Sequence, residues 1–327
     1  MSNLTYIGID VAKKELCCSL PGCRPFKLSS SLAGINALIQ RTADLDQPGN
    51  LCFVMESTSG YSEYTADALQ DLAGVQAAIV PPGRIIGFKQ AGLTRTKNDP
   101  TDAIAIRKFA ESHQPDPWQP PTPAQRHLRS LQNQMNSLHK AVAQQLCLQE
   151  KFLSAYRPDD FALASVARTI RFMKGELAHL QAEFDRTISE DETMAADVAH
   201  MLSIPGVGTG VCNVILTVCY RQLRELSQRK LLTFCGMSPK EFQSGQRKGQ
   251  TRMSKAGDSR VRRVLYMAAM VSVREEGLMR DYFRQQKADG KKGMIAMVNV
   301  MRRLLYIIQG VVKSNSPFDI NVFHSNA

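Results

Sequence analysis

The first third of the chain alternates between short apolar runs and segments with the spacing of an amphipathic helix. Apolar runs of this length, bounded by Gly, Pro and polar residues, predict strands. The predicted strands are 6–11, 15–20, 24–28, 51–55 and 75–80, and the predicted helices are 31–41, 61–72 and a last one from about 100 through 109. Three strands leading into a strand–helix–strand–helix order predict an α/β domain with a mixed sheet.

The rest of the chain has helical spacing throughout. After a proline-rich loop at 115–123, apolar residues spaced by three and four predict a long helix, and a second follows the break at Arg157-Pro158. Such short heptads predict an antiparallel hairpin or a dimerising coiled coil, and the pattern leaves both open. Further helices are predicted at 209–220, 228–234, 260–275, 278–288 and 293–313, with a loop or hairpin at 236–257.

Charge is distributed unevenly along the 327 residues, a length that indicates more than one domain. The net charge is +11, and residues 201–327 alone carry 21 Lys and Arg against 8 Asp and Glu. A basic region joined to a near-neutral one is typical of a polyanion-binding domain, although a merely solvated basic face has the same composition.

Cysteine spacing and hydropathy exclude two other classes. The eight cysteines form no C-x-x-C pair and no histidine lies at zinc-finger spacing, so we expect buried reduced thiols rather than disulfides or zinc. Neither an apolar run of about 18 residues nor a signal pattern at the start is recognisable. We therefore expect no membrane segment and a cytoplasmic protein.

Four acidic residues lie where they can meet. Asp10 ends the first predicted strand and Glu56 ends the strand at 51–55, while Asp99 and Asp102 share a helix face around Pro100. Carboxylates brought together repel unless a hard divalent cation joins them. Two Mg²⁺ ions about 4 Å apart can serve phosphoryl transfer. The alternative for each acid is structural, with Asp99 as a helix N-cap and Glu56 paired with a lysine.

A flexible basic segment carries the second candidate group. Residues 221–263 hold twelve Lys and Arg against three acids. A serine hydroxyl there can attack a phosphodiester whose charge is neutralised by its neighbours. On chemistry alone Ser244 is no better placed than Ser238, Ser254 or Ser259, and each can equally be a phosphate contact. The turn at 203–208 is similar to a helix-hairpin-helix turn, or is a plain helix connection.

Five short motifs in order give the chain a family resemblance. They are GIDVAK at 8–13, MESTSGY at 55–61, KNDPTDA at 97–103, IPGVG at 204–208, and SG at 244–245 leading to MSKAG at 253–257. Together they resemble the DEDD transposases of bacterial insertion sequences, described as bridge-RNA-guided recombinases. The Gly/Thr-rich turn that would favour the actin and sugar-kinase fold after Asp10 is missing, so that rival is weak.

The resemblance implies an architecture. Residues 1–121 would form an α/β N-terminal domain of ribonuclease H or RuvC-like fold. Residues 122–190 would form a helical, coiled-coil connector that dimerises. Residues 191–327 would form a mostly α, basic C-terminal transposase domain with a serine loop. The resemblance also implies homodimers that assemble into a tetramer, with the acids of one protomer completing a site with the serine of another.

The resemblance further implies roles for residues and partners. Asp10, Glu56, Asp99 and Asp102 would bind Mg²⁺, Ser244 would be the nucleophile that forms a phosphoserine link, and a noncoding bridge RNA would pair with target and donor DNA. Our candidates for nucleic-acid contacts are Arg247, Lys248, Arg252, Lys255, Arg260, Arg262 and Arg263. The alternatives are a RuvC-like junction nuclease that forms no serine adduct and a non-catalytic nucleic-acid-binding protein.

Overall fold

The computed structural model describes residues 4–91, 98–240 and 252–320, and of 243–244 and 247–248 the backbone alone. The chain forms two compact units, Met1–Pro121 and Thr122–Ala327. The division of the second unit at residue 190 into a connector and a basic domain stays a prediction.

The first unit is built from a five-stranded sheet, four α-helices and a short 3-10 helix (Pro48–Asn50) in its described residues. Its strands are β1 (Thr5–Val11), β2 (Glu15–Ser19), β3 (Phe26–Ser29), β4 (Leu51–Glu56) and β5 (Gln76–Val80), and its helices are α1 (Leu32–Thr42), α2 (Ser59–Ala73), α3 (Pro82–Ala91) and α4 (Asp99–His113). The strand order is β3-β2-β1-β4-β5. Strands β1, β2 and β3 pair antiparallel, whereas β4 is parallel to both β1 and β5, which confirms the mixed sheet.

Strand alternation divides the apolar side chains between the two faces of the sheet. Ile7, Ile9 and Phe53 pack on one face in a core that includes residues of α1 and α2. Tyr6, Cys52 and Val54 pack on the other in a core that includes residues of α3 and α4. Even-numbered residues of β1 and β4 therefore face α3 and α4.

Gly8 lets helix α4 lie directly against β1. A Cβ atom at Gly8 would stand 2.2 Å from the carbonyl oxygen of Ala103 and 2.6 Å from the amide nitrogen of Arg107. Both are backbone atoms, so no side-chain rotation relieves the clash. The glycine in the first motif is therefore a packing requirement, and it places the first turn of α4 next to the end of β1.

The second unit is helical apart from two-residue strand pairs. Its helices are α5 (Pro123–Leu153), α6 (Asp160–Ser189), α7 (Glu192–Leu202), α8 (Thr209–Val218), α9 (Tyr220–Glu225), α10 (Gln228–Phe234), α11 (Ser259–Ser272), α12 (Leu278–Ala288) and α13 (Gly293–Ser314). The strands β6 (Pro239–Lys240) and β9 (Arg252–Met253) pair antiparallel, as do β7 (Gln243–Ser244) and β8 (Arg247–Lys248). The segment predicted as a loop or hairpin is thus a hairpin.

Helices α5 and α6 form an antiparallel hairpin within one chain. Nε2 of His127, near the start of α5, lies 3.0 Å from Oε1 of Glu183, near the end of α6. The base of the hairpin shares a core with the later helices, since Leu128 and Phe184 pack in the same cluster as α8, α11 and α13. The two helices therefore pack on each other within one chain, and the role of this hairpin as a dimerising connector stays a prediction.

Helix α13 is the apolar centre of this unit. It is long and apolar enough to cross a membrane by length and composition, but 61% of its most apolar window is buried inside the protein. Its buried residues include Val300, Leu304 and Ile308, which are fully shielded from solvent. It is therefore a core helix of the fold.

Several local predictions were wrong. Helix α3 was missed: it begins at Pro82, directly after β5, because proline is well suited to the first turn of a helix. The helix predicted at 209–220 is two helices that meet at Cys219, and α7 was missed. Among the cysteines, Cys23 and Cys147 are exposed, whereas the other six are buried and all eight are free.

We predict that Gly8→Ala destabilises the protein by about 3 kcal/mol, because the methyl group would be forced into the backbone of α4. Urea unfolding monitored by circular dichroism measures this. The matched control is Gly87→Ala, since a Cβ at Gly87 in α3 meets nothing within 4 Å. An alanine in that helix is expected to be neutral or stabilising by up to about 1 kcal/mol. Equal stability of the two variants would contradict the packing argument.

Candidate active site

Two of the four acids end neighbouring parallel strands. Ile9 of β1 pairs in register with Met55 of β4, so Asp10 and Glu56 follow side by side. Both are even-numbered and lie on the sheet face that α3 and α4 cover. Both are partly buried. The sheet alone therefore brings this pair together.

The other two acids lie in the first turn of α4. Its N-cap is Asn98, whose side-chain oxygen accepts a hydrogen bond from the backbone amide of Thr101. The side-chain hydroxyl of Thr101 accepts a second hydrogen bond from the backbone amide of Asn98. The alternative that Asp99 caps the helix is therefore wrong. Because Asn98 supplies the cap, the carboxylates of Asp99 and Asp102 are not used to start the helix.

The pKa of Asp10 responds to the charges of the other three acids. It is raised above the ordinary aspartate value, first by burial and then by the negative charges of Asp102, Asp99 and Glu56, in that order. Lys89 opposes the rise. The other three acids of the motifs thus lie near enough to Asp10, at the end of β1, for their charges to act on it.

Two lysines that the sequence did not single out neutralise part of this charge. Nζ of Lys89 in α3 lies 2.7 Å from Oδ1 of Asp102, and both side chains are about four-fifths buried. Nζ of Lys27 in β3 lies 2.9 Å from Oδ2 of Asp99, where both side chains are about half exposed. That hydrogen bond lowers the pKa of Asp99. Glu56, expected to pair with a lysine if structural, has no such partner among the described residues.

The carboxylate oxygens of the four acids are suitable ligands for a hard divalent cation, although the four side chains are not arranged around a single point. Carboxylate oxygens are the ligands that Mg²⁺ prefers. Oδ1 of Asp102 is shielded from solvent. Among the described residues, no donor makes a hydrogen bond of good geometry to it, although Nζ of Lys89 lies at ion-pair distance. No three acid, histidine or cysteine side chains among the described residues are arranged to hold a metal as they stand.

The candidate nucleophile lies on the hairpin of the second unit. Ser244 ends β7 and pairs with Arg247 of β8 through the backbone. The side chains of Ser244, Arg247 and Lys248 lie outside the described residues, so their roles stay predictions.

The base of this hairpin is rigidly built. A Cβ at Gly257 would stand 2.4 Å from the carbonyl oxygen of Phe234 and 2.5 Å from the amide nitrogen of Gly236, so the two ends of the segment touch through glycines. Gly236 also has a positive φ of 67°. Arg262 Nη1 donates to the carbonyls of Cys235 and Gly257 at 3.1 and 2.8 Å.

Arg302 of α13 also holds the base of the hairpin. Its Nε and Nη2 donate to the carbonyl oxygen of Met237 at 3.0 and 2.7 Å. Met237 is fully buried. The hairpin that carries Ser244 is therefore fixed to the helical core by Arg262 and Arg302, neither of which the sequence predicted as a positioning residue.

The remaining basic candidates differ in how exposed their side chains are and in whether they already bind other groups of the protein. Arg252, Lys255 and Arg263 are exposed. Arg260 is held by Asp258 through its Nη2 at 2.7 Å, and Arg262 by the carbonyls described above. Contacts from Arg260 and Arg262 to nucleic acid stay predictions, but both have a structural role that the sequence did not indicate.

The turn at 203–208 has a packing function. Gly206 has a positive φ of 85°, and a Cβ there would stand 2.0 Å from Oγ of Ser272 in α11. Ser272 in turn donates to the carbonyl of Pro205 at 3.0 Å. This glycine lets α11 approach the turn, and a contact of the turn with a DNA phosphate stays a prediction. Gly208, by contrast, has open space at its Cβ position.

Comparisons with known proteins cover both units. A transposase model of the DEDD type from IS110 elements matches residues 7–158, and a model described as the transposase IS116/IS110/IS902 family matches residues 198–284. The chain belongs to the IS110 family of transposases. The first match contains all four acids and the second contains Ser244 with the basic hairpin.

Relatives match the IS110-family chain along its whole length. It is 24% identical over 325 residues to a pilin gene-inverting protein of Moraxella lacunata, covering 96% of this chain and 98% of the relative. It is 22% identical over 346 residues to the transposase for insertion sequence element IS1328 of Yersinia enterocolitica, covering 96% of this chain and 100% of the relative.

We predict that Asp10→Asn raises the melting temperature of the metal-free protein at pH 7 by a few degrees. Because the folded-state pKa of Asp10 is raised, its ionised form lowers stability above that pKa. The gain should shrink as the pH falls through the raised pKa and vanish near the ordinary value of about 4. Calorimetry in EDTA measures it, with the exposed Asp71→Asn as control. A gain that grows at low pH would contradict the charge coupling.

We predict that Arg302→Met lowers the free energy of unfolding by about 1–3 kcal/mol, because the buried carbonyl of Met237 loses both donors. Chemical denaturation measures this change. The control is Arg280→Met, whose ion pair with Glu276 is at the surface, where such pairs contribute about 0–1 kcal/mol. An effect no larger than that of the control would show that Arg302 does not hold the hairpin base.

Proposed function

We propose that this IS110-family protein is a Mg²⁺-dependent DNA transposase and recombinase of an insertion sequence. It cuts and rejoins DNA through a covalent phosphoserine intermediate and is guided by a noncoding bridge RNA. The observation that carries the proposal is that Asp10 and Glu56 lie side by side at the ends of β1 and β4, with Asp99 and Asp102 near enough to act on Asp10. The family matches over both units support it.

The first unit is proposed to be a ribonuclease H or RuvC-like nuclease domain. Three antiparallel strands followed by parallel β4 and β5, with helices on both faces, support this assignment. In such a domain the carboxyl ends of β1 and β4 carry the acids, as they do here for Asp10 and Glu56.

The four acids are proposed to hold Mg²⁺. When bound, the cation would neutralise their mutual repulsion and polarise a phosphodiester oxygen, which makes the phosphorus easier to attack. The protein's own contribution is positioning. Packing of α4 on Gly8 and the Asn98 cap keep Asp99 and Asp102 at the end of β1.

Ser244 is proposed to be the nucleophile. Its Oγ would attack the phosphorus while a base takes the hydroxyl proton. The bond from phosphorus to one deoxyribose oxygen would break, and that oxygen would take up a proton from a general acid or water to become a sugar hydroxyl. Attack of a sugar hydroxyl on the phosphoserine reverses these steps and releases the serine. The phosphoester bond energy is conserved, so joining needs no ATP.

The basic surface of the second unit is proposed to bind the nucleic acids. Arg252, Lys255 and Arg263 are exposed and available to phosphates. Arg247, Lys248, Arg260 and Arg262 complete the proposed set. Because the RNA would read sequence by pairing with target and donor DNA, the protein would need to contact only backbone and shape.

The α5–α6 hairpin is proposed to dimerise, with dimers assembling into a tetramer. It carries exposed aromatic side chains: Tyr156 and Phe161 near its far end are 95% and 80% exposed, and Phe172 farther along α6 is 68% exposed. Exposed aromatic groups of this kind are typical of protein interfaces. Protomers joined there would pair the acids of one chain with the serine of another.

The names of the relatives fit this chemistry. An inverting protein and a transposase both describe DNA rearrangement, and we extend that activity to this chain. Action on DNA would place the protein in the bacterial cytoplasm, associated with the nucleoid.

We predict a covalent protein–DNA adduct on a denaturing gel when the wild-type protein is co-expressed with the RNA of its element's flank and supplied with Mg²⁺. Ser244→Ala should abolish the adduct, and Asp10→Asn should abolish it while retaining DNA binding. The matched control is Ser259→Ala, which removes another hydroxyl of the basic segment and should leave the adduct intact.

Other outcomes assign other functions. Cleavage by both wild type and Ser244→Ala without an adduct would identify a RuvC-like nuclease that hydrolyses DNA. Binding without cleavage in every protein would identify a non-catalytic nucleic-acid-binding protein. An adduct that depends on Ser259 and not on Ser244 would move the nucleophile. Adduct formation without the flanking RNA would contradict RNA guidance.

A further inference from the structure

Lys89 places a positive charge inside the acid cluster. Its Nζ lies 2.7 Å from Oδ1 of Asp102, and the two side chains are only 19% and 18% exposed. Among the residues that the structure describes, it is also the positive charge that acts on Asp10. An ammonium group this far out of water is stable only with a charged partner, so the pairing with Asp102 holds Lys89 in place.

The helix that carries Lys89 is fixed, whereas its side chain is long. Ile85 in α3 is fully buried, and Phe88 packs edge-on against Phe109 of α4 with ring centroids 5.7 Å apart. The backbone at residue 89 is thus anchored beside α4. Four flexible methylene groups still allow the ammonium to move away from Asp102 without any movement of the helix.

The lysine and a divalent cation would use the same oxygen. Oδ1 of Asp102 is buried, and it is the atom that Lys89 approaches. A cation bound there would repel an ammonium group about 4 Å away, so the two cannot both remain. Lys27 competes less, because its pair with Asp99 is about half exposed and water screens it.

We propose that Lys89 is a positioning residue that acts as a resident counter-charge: it holds Asp102 in the metal-free protein and must leave it when the divalent cation binds. The inference rests on the proposed metal site. It makes Lys89 a determinant of metal affinity, since every binding event includes breaking the Lys89–Asp102 pair. It also explains how the acids stay together before the cation arrives.

The test is calorimetric titration of the full-length protein with Mg²⁺. Lys89→Met should bind Mg²⁺ about tenfold or more tightly than wild type, because no ammonium has to be displaced. Lys89→Arg keeps the charge and should remain close to wild type. Lys108→Met removes an exposed lysine from α4 and should leave the dissociation constant unchanged.

A second measurement separates charge compensation from a general loss of packing. Without metal, Lys89→Met should melt at a lower temperature than wild type, and saturating Mg²⁺ should raise its melting temperature by more than it raises that of wild type. Lys89→Gln serves as a second neutral variant if Lys89→Met does not fold, with the same tighter binding expected.

The outcomes distinguish this inference from the proposed function. Equal Mg²⁺ affinity in wild type, Lys89→Met and Lys89→Gln, with binding still lost in Asp10→Asn, would overturn the role of Lys89 and leave the metal site standing. Weaker binding in both neutral variants would overturn it too, since Lys89 would then assist the cation. No Mg²⁺ binding by wild type would overturn the metal site itself, and the inference with it.

Discussion

Carboxylates that share one end of a sheet repel one another, and the fold must hold them there against that repulsion. The contact that does so is the close packing of α4 on β1, which depends on the missing side chain at Gly8. Ile106 and Phe109 of the same helix are buried against the sheet. Each such side chain contributes about 1.5–3 kcal/mol, so apolar burial a few residues from the acids offsets their repulsion. The acid cluster is thus a consequence of core packing.

The sequence predicted this arrangement in part, because its signals are local. Apolar runs identify the strands, and Asp10 and Glu56 stand at the ends of two of them. The lysines could not be found in this way. Lys89 and Lys27 are distant in sequence from the acids they pair with, and only the folded chain brings them together. A better interpretation of Pro82 as a helix start would have revealed α3, although not the partner of Lys89.

In the second unit, the helices were predictable and the anchoring of the hairpin was not. Amphipathic spacing identified α10 and α12 at their observed bounds. Arginines in a basic segment have no pattern that separates a phosphate contact from an internal donor. Arg262 serves backbone carbonyls, and Arg302 does the same from a core helix. Such roles depend on which backbone carbonyls lack a hydrogen-bond donor in the folded protein. The spacing of residues along the sequence does not reveal this.

The central claim is that the four acids form a divalent-cation site. The most direct measurement is an anomalous difference map from crystals of the full-length protein soaked in Mn²⁺. We expect a peak bounded by Asp10, Glu56, Asp99 and Asp102, with the Lys89 ammonium turned away from Asp102. A map with no peak at these acids, and with Lys89 still on Asp102 at saturating Mn²⁺, would contradict it.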